Sequence, residues 1–179
     1  HYNLVTPTMD AFVFRTWKNL FKSIGRANVA LRAVSLFSDA TFPNRKSRLA
    51  ELRFLRGHSY FTMKRLYKNI PIFDENASDE DILKTSNDLS NDASWDKIAA
   101  DFQYAVDNLP LTQTEIGRAN KTSAQAYLAK VKLYQAYTQS ATHQVTSINA
   151  AKLQEVVTLL QAVIASGKYS LSTDIADNF

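Results

Sequence analysis

Three arginines on one predicted helix are the most chemically loaded feature of the chain. In ELRFLRGHSYFTMKRLYKNIPIF, residues 51–73, Arg53, Arg56 and Arg65 are interleaved with Phe54, Leu55, Tyr60, Phe61 and Tyr67. Guanidinium groups placed this way could clamp a carboxylate or phosphate through paired N–H donors. They could also pair with acids inside the protein while their stems cover apolar surface. Both roles are open to these residues, and in the structural one Asp101 is a candidate ion-pair partner. Metal chemistry is not expected, because His1, His58 and His143 lie far apart without ligand spacing. With no cysteine there is no disulfide or thiolate site. No Gly-rich phosphate loop, G-x-S-x-G or paired His-carboxylate motif occurs, so neither a catalytic residue nor a cofactor is expected. The acidic run at 74–81, DENASDED, lacks the spaced oxygens and the glycine of a calcium loop. The glycosylation sequons at Asn76 and Asn120 carry little weight, since so short a motif recurs by chance.

A second chemistry open to this chain is stacking of an aromatic ring on the apolar face of a sugar. Trp17 and Trp95 fall on apolar helix stripes, which assigns them to the core. The better candidates are on loops, where ligand contacts concentrate. These are Phe42, beside Asn44 and Arg45, and Phe73, which could instead plug the end of its helix.

The elements that must position these residues are helices. Between residues 8 and 37, Trp17, Leu20, Phe21, Ile24, Ala27, Leu31 and Val34 recur at steps of three and four. Asn28 falls on the same stripe, so it is expected to be buried and hydrogen-bonded. The segment SDATFPNRK then reads as a loop. A second helix runs from about Lys46 to Lys68, with one apolar stripe through Leu52, Leu55, Ser59, Met63 and Leu66 and another through Phe54 and Phe61. Apolar groups on more than one side predict a helix packed between neighbours. Gly57 and Ser59 are small enough to let another backbone come close, and Pro71 ends the segment. Residues 74–93 read as a long polar loop. The third helix carries Trp95, Ile98, Ala99, Phe102, Ala105, Val106 and Leu109, with Asp92 or Ser94 as its cap. A fourth opens at Thr122, with Gln125 completing a capping box, and a fifth spans about Asn149 to Ser166, closed by Gly167. Short connections between alternating helices with small-residue faces predict an all-α stack of antiparallel, tetratricopeptide-like pairs forming one helical region.

Bulk properties agree with that class. The 179 residues are 45% hydrophobic and 21% charged, with only 4 Gly and 4 Pro, which disfavours a turn-rich β chain. No apolar run approaches the ~18 residues of a membrane span. The net charge of +4 is unevenly placed: residues 1–68 hold 13 Lys/Arg against 3 Asp/Glu, and residues 69–179 hold 8 against 14. The basic residues neither form runs nor alternate with Gly and aromatics, so nucleic acid is not an expected partner. Mutual neutralisation of two halves of a helical array, or contact with a further partner, accounts for the asymmetry better. The start at His1 and the apolar Phe179 read as the ends of a piece of a larger protein.

Several separate blocks together resemble one family, SusD/RagB. Glu51, Arg53, Phe54, Leu55, Arg56, Tyr60, Phe61, Arg65, Leu66, Tyr67 and Pro71 are similar to its E-x-R-F-L-R-A-x-x-Y-F-x-x-x-R-L-Y-G-x-V-P signature. Trp17, Ile24 and Asn28 resemble its early W…I…aN helix, and Trp95, Ile98, Asp101, Leu109 and Pro110 its W-x-x-I-x-x-D-L…LP block. Gly117, Arg118, Ala119, Lys121, Ala124, Leu128, Ala129, Lys130, Leu133 and Tyr134 resemble G-R-A-x-K-x-A-A-x-A-L-L-A-K-x-x-L-Y. The chain departs from the pattern at Gly57, His58 and Phe102, and Asn69 stands near the signature glycine. The resemblance implies that these signature residues are structural and that the chain is the N-terminal helical half of a larger protein. It also implies a lipoprotein on the outer face of a Bacteroidetes-type outer membrane, its anchoring cysteine outside this chain. Such a protein binds an oligosaccharide, or in the RagB-like branch a peptide, and delivers it to a SusC-like TonB-dependent barrel without chemistry. The rivals are a helical-repeat protein adaptor and a glycan-cleaving enzyme, for which no carboxylate pair can be named.

Overall fold

The computed structural model describes residues 7–87, 91–140, 142 and 144–178. Five long helices follow one another, each packed on the next: α1 (Pro7–Ser35), α2 (Arg45–Tyr67), α4 (Asn91–Asn108), α5 (Lys121–Ala136) and α6 (Ala150–Ala165). A short α3 (Asp79–Lys84) lies between α2 and α4, and a 3-10 turn (Ile175–Asn178) follows α6. The stack of helix pairs read from the sequence is the architecture observed. Stacking helices in chain order keeps most contacts between neighbours, the economy of helical-repeat proteins.

The core forms where the stripes converge. Ile24 of α1, Tyr60 and Met63 of α2, Ile98 and Phe102 of α4, and Leu128 and Val131 of α5 are all fully buried. α2 sits between α1 and α4, so it is apolar on two sides. Gly57 marks the close approach to α4: a Cβ there would lie 3.2 Å from the Asp101 Cβ and 3.3 Å from the Phe102 ring. An aromatic cluster fills the seam between α2, α4 and α5. Phe102 stacks on Tyr127 at 5.3 Å, Phe54 meets both rings edge-on, and Trp95 stacks on Tyr134 at 4.8 Å.

The all-α architecture carries one short antiparallel hairpin, β1 (Tyr137–Gln139) with β2 (Val145–Ile148), between α5 and α6. Several local expectations are corrected. The segment read as a loop at 74–93 contains α3 and the start of α4. Ser78 and Asp81 form a reciprocal capping box at the head of α3, which lets a six-residue helix with no buried side chain close its turn. The box on α5 uses Asn120 and Ser123 rather than Thr122 and Gln125, and α4 starts ahead of Ser94, which is therefore inside the helix and buried. On the stripe through Leu52, Leu55, Ser59, Met63 and Leu66, Ser59 and Met63 are buried, whereas Leu55 and Leu66 are 54% and 60% exposed. On α6 only Val156 is buried, and Ile164 is 76% exposed.

The end of α2 shows the consequence of one residue type. Lys68 adopts φ 59° and ψ −65°, and the Asn69 amide donates back to the Tyr67 carbonyl at 2.6 Å, a γ-turn that strains any residue with a Cβ. Counting along the signature from Glu51 puts its glycine at position 68, so the departure is Lys68 rather than Asn69. Gly167, by contrast, takes its left-handed turn (φ 62°) after α6 without strain.

Candidate functional site

Arg56 organises the polar centre of the molecule. Its Nε and Nη2 donate to the two oxygens of Asp101, each at 2.7 Å, a bidentate pair linking α2 to α4. Its Nη1 donates to Asn28 Oδ1 of α1 at 2.7 Å and also to Glu75 Oε2. One guanidinium therefore ties three helices and the segment after α2 together. Arg56, Asp101 and Asn28 are all buried. Burial opposes the charge on Arg56, but the hydrogen bonds and charges of Asp101 and Glu75 outweigh it and hold Arg56 cationic well above its ordinary range. Burial pushes the Asp101 carboxyl up, and Arg56 offsets part of that push. Glu75 is also penalised by burial, yet its bonds to Arg56 hold it below its ordinary value.

The same centre pins the segment 70–76 that follows α2. Tyr60 Oη donates to the Phe73 carbonyl at 2.8 Å and accepts from the Phe73 amide at 3.1 Å, so one hydroxyl satisfies both backbone groups. Arg53 pairs with Glu75 at 3.3 Å and lies over the Tyr104 ring at 4.4 Å. Pro71 is half-buried beside the buried Ile70 and Ile72. Arg65 is exposed and rests over the Phe61 ring at 5.5 Å. Tyr67 donates to the Val13 carbonyl at 2.7 Å and meets Trp17 edge-on at 4.8 Å.

A second carboxylate, Glu51, anchors the α4–α5 connection to α2. It accepts from Arg48 at 2.9 Å, from Arg118 at 3.0 Å and from Gln113 at 3.1 Å. Gly117, at φ 90°, lets that connection turn just before Arg118.

The loop candidates lie apart from these networks. Phe42 is half-buried and meets Phe37 edge-on at 6.2 Å. Asn44 is exposed at the head of α2 and its side chain caps nothing, while Arg45 pairs with Asp39 at 3.1 Å. Phe42, Asn44 and Arg45 are contiguous, whereas Phe73 is half-buried with its ring parallel to Phe21 at 5.9 Å. One face of the Phe73 ring is thus occupied by α1. His58 packs edge-on against Tyr127 at 5.1 Å; partial burial and the Lys130 charge lower its proton affinity. His1 and His143 lie outside the described residues. Among the described residues no group of three or more His, Asp or Glu could hold a metal ion.

Glu75 was not among the residues singled out from sequence, and it completes the Arg53–Arg56 network from an apparently solvated acidic run. The only signal for it is arithmetic: an arginine-rich α2 needs acids, and the nearest acidic segment is 74–81.

The geometry defines a helical scaffold of stacked pairs whose buried charges are paired with one another inside the fold. The match to the family described as "Starch-binding associating with outer membrane", over residues 1–133, makes the assignment specific. The chain belongs to this SusD-like family. It is 31% identical over 125 residues to the SusD-like protein P2 of Formosa agariphila; the match takes in 69% of this chain and 24% of that protein. The chain thus spans about a quarter of that relative's length. A crystal structure solved with a xylogluco-oligosaccharide superposes with a TM-score of 0.74 at 24% identity, covering 92% of this chain and 32% of that one. A laminarin-binding SusD-like protein superposes with a TM-score of 0.62 at 25% identity, covering 83% and 29%.

Proposed function

We propose that this protein captures oligosaccharides non-catalytically at the outer surface of the outer membrane and delivers them to a SusC-like TonB-dependent barrel. The observation that carries the reading is the family match over residues 1–133, joined to solved relatives that hold or bind glucans. The chain forms the N-terminal helical part of a longer lipoprotein whose anchoring cysteine lies elsewhere. In this reading the buried network of Arg56, Asp101, Asn28 and Glu75 is structural, because each of its charges already has a partner. Phe42, Asn44 and Arg45, at the entry to α2, meet ligand, with the Phe42 ring as stacking surface, and Phe73 contributes the face that Phe21 leaves open. Stacking supplies contact without bond making, which suits capture and release.

One observation favours a protein contact on the opposite side of α1. Arg15, Lys18, Lys22 and Arg26 form a single exposed stripe facing away from buried Ile24, and among the described residues no carboxylate pairs with any of them. In this reading the stripe meets an acidic surface of the barrel partner.

Titration of the protein with a panel of soluble glucans and peptides, followed by product analysis, tests the reading. It predicts saturable binding to a glycan with the sugar recovered intact. Binding to peptides alone would move the protein to the RagB-like branch, and shortened products would overturn capture without chemistry.

A further inference from the structure

Between α1 and α2 lies an open groove of about 440 Å³ whose two sides differ in chemistry. α2 contributes Leu52 and Leu55, and Leu66, about three turns further along, continues the same stripe. α1 contributes Asn19 and the cations Lys22 and Arg26. The helices meet through small side chains, which keeps the floor shallow: the Ser23 and Ser59 hydroxyls share a hydrogen bond at 3.0 Å, and Ala27 is buried.

Leu55 and Leu66 are each more than half exposed. Lys22 and Arg26 are exposed too, and among the described residues neither pairs with a carboxylate. Exposed apolar side chains beside a polar rim mark a surface that meets another molecule. The occupant that suits both sides is acidic and apolar together. A bare phosphate or sulfate would leave the leucines in water, and a neutral apolar segment would leave the cations unmet.

The molecule carries a segment of that description elsewhere. α3 opens with Asp79, Glu80 and Asp81, and Ile82 and Leu83 follow at once. Leu83 is 87% exposed, and no residue of α3 is buried. The helix is held instead by its Ser78–Asp81 box and the Glu80–Lys84 pair. Asp79 and Leu83 stand one turn apart on the same face. Among the described residues the Asp79 carboxylate has no partner. A short acidic helix with a leucine on its outer face complements a leucine stripe with a cationic rim. The uneven charge of residues 1–68 and 69–179 acts in the same direction, drawing the basic part of one molecule toward the acidic part of another.

We propose that a second copy of this chain seats its α3 in the α1–α2 groove, with Leu83 against Leu55 and Asp79 facing Lys22 and Arg26. The two surfaces differ, so the contact is head-to-tail and leaves a free groove at one end and a free α3 at the other. Lys22 and Arg26 belong to the stripe read above as the barrel contact, so a seated copy and the barrel exclude one another. The pairing itself does not depend on glycan capture.

Sedimentation velocity of the full chain over a range of protein concentrations tests it, on wild type, Arg26→Glu and Leu83→Lys. Each is run in low salt and in about 0.5 M salt, where surface attraction is screened. Both positions are exposed, so melting temperatures are expected to stay unchanged. Wild type is expected to form species beyond the monomer in low salt that grow with concentration and shrink in high salt. Each substitution is expected to weaken association at least tenfold. Mixing the two variants is the sharper measurement: one keeps its α3 and the other its groove, so together they form a one-to-one dimer and nothing larger. A wild type that stays monomeric throughout, association that either variant retains in full, or a mixture that stays monomeric would overturn the pairing. A monomeric wild type that binds phosphatidylglycerol vesicles would overturn it as well and give the groove to a lipid surface.

Discussion

Arg56 shows how one side chain can be written for a fold. Four of its five N–H donors meet a bidentate carboxylate, an amide oxygen and a second carboxylate. Removing one partner of such a buried pair leaves the other charge stranded at about 3–5 kcal/mol. Arg56→Ala is therefore expected to lower stability by that order in chemical denaturation. Arg56→Met combined with Asp101→Leu should cost much less than the sum of the two single changes. Glu75 gives the centre a pH response. Its folded pKa lies below the ordinary value of 4.5, so its contribution is fully present above that value and is lost as pH falls through the depressed one. Asp101, pushed up by burial, acts in the opposite sense, and the folded state takes up its proton more readily than the unfolded chain. Comparing wild type with Glu75→Gln isolates the first effect: their stability difference should shrink between pH 6 and pH 3 in denaturant titrations. Lys68 offers a test of opposite sign. A non-glycine residue in the left-handed region costs roughly 1–2 kcal/mol, against about 0.5–1 kcal/mol that glycine adds to the entropy of unfolding. Lys68→Gly should thus raise stability by up to about 1 kcal/mol, seen as a higher melting temperature.

At the scale of elements, periodicity carried the long helices and their order, because each has a stripe that must be buried. It failed where burial is not what stabilises the element. α3 has no buried residue and rests on the Ser78–Asp81 box, and the hairpin strands are almost wholly exposed. Neither leaves a hydrophobic pattern to read. Capping has its own weakness as a signal, since Asn120, Thr122 and Ser123 all suit the role and only geometry selects the Asn120–Ser123 pair. Asn120→Ala should cost about 1 kcal/mol, because the Ser123 amide then loses its side-chain acceptor. The candidate sites were legible unequally. Asn28, Arg56 and Asp101 could be linked from stripe position and charge. Glu75 could not, because its place depends on where the segment after α2 comes to rest.

The whole molecule places its apolar and charged surfaces unevenly. The polar centre locks α1, α2 and α4 together, while the outer faces of α1 and α6 keep exposed cations and exposed aliphatic side chains. A chain spanning about a quarter of its curated relative fits that picture, with further structure or a partner covering those faces. The central claim is glycan capture without chemistry. Isothermal titration of the full-length protein with a xylogluco-oligosaccharide and a laminari-oligosaccharide, with the sugars recovered and sized afterwards, tests it most directly. The account predicts saturable binding of at least one and unchanged chain length in the recovered sugar. No heat from either probe, or shorter products, would contradict it.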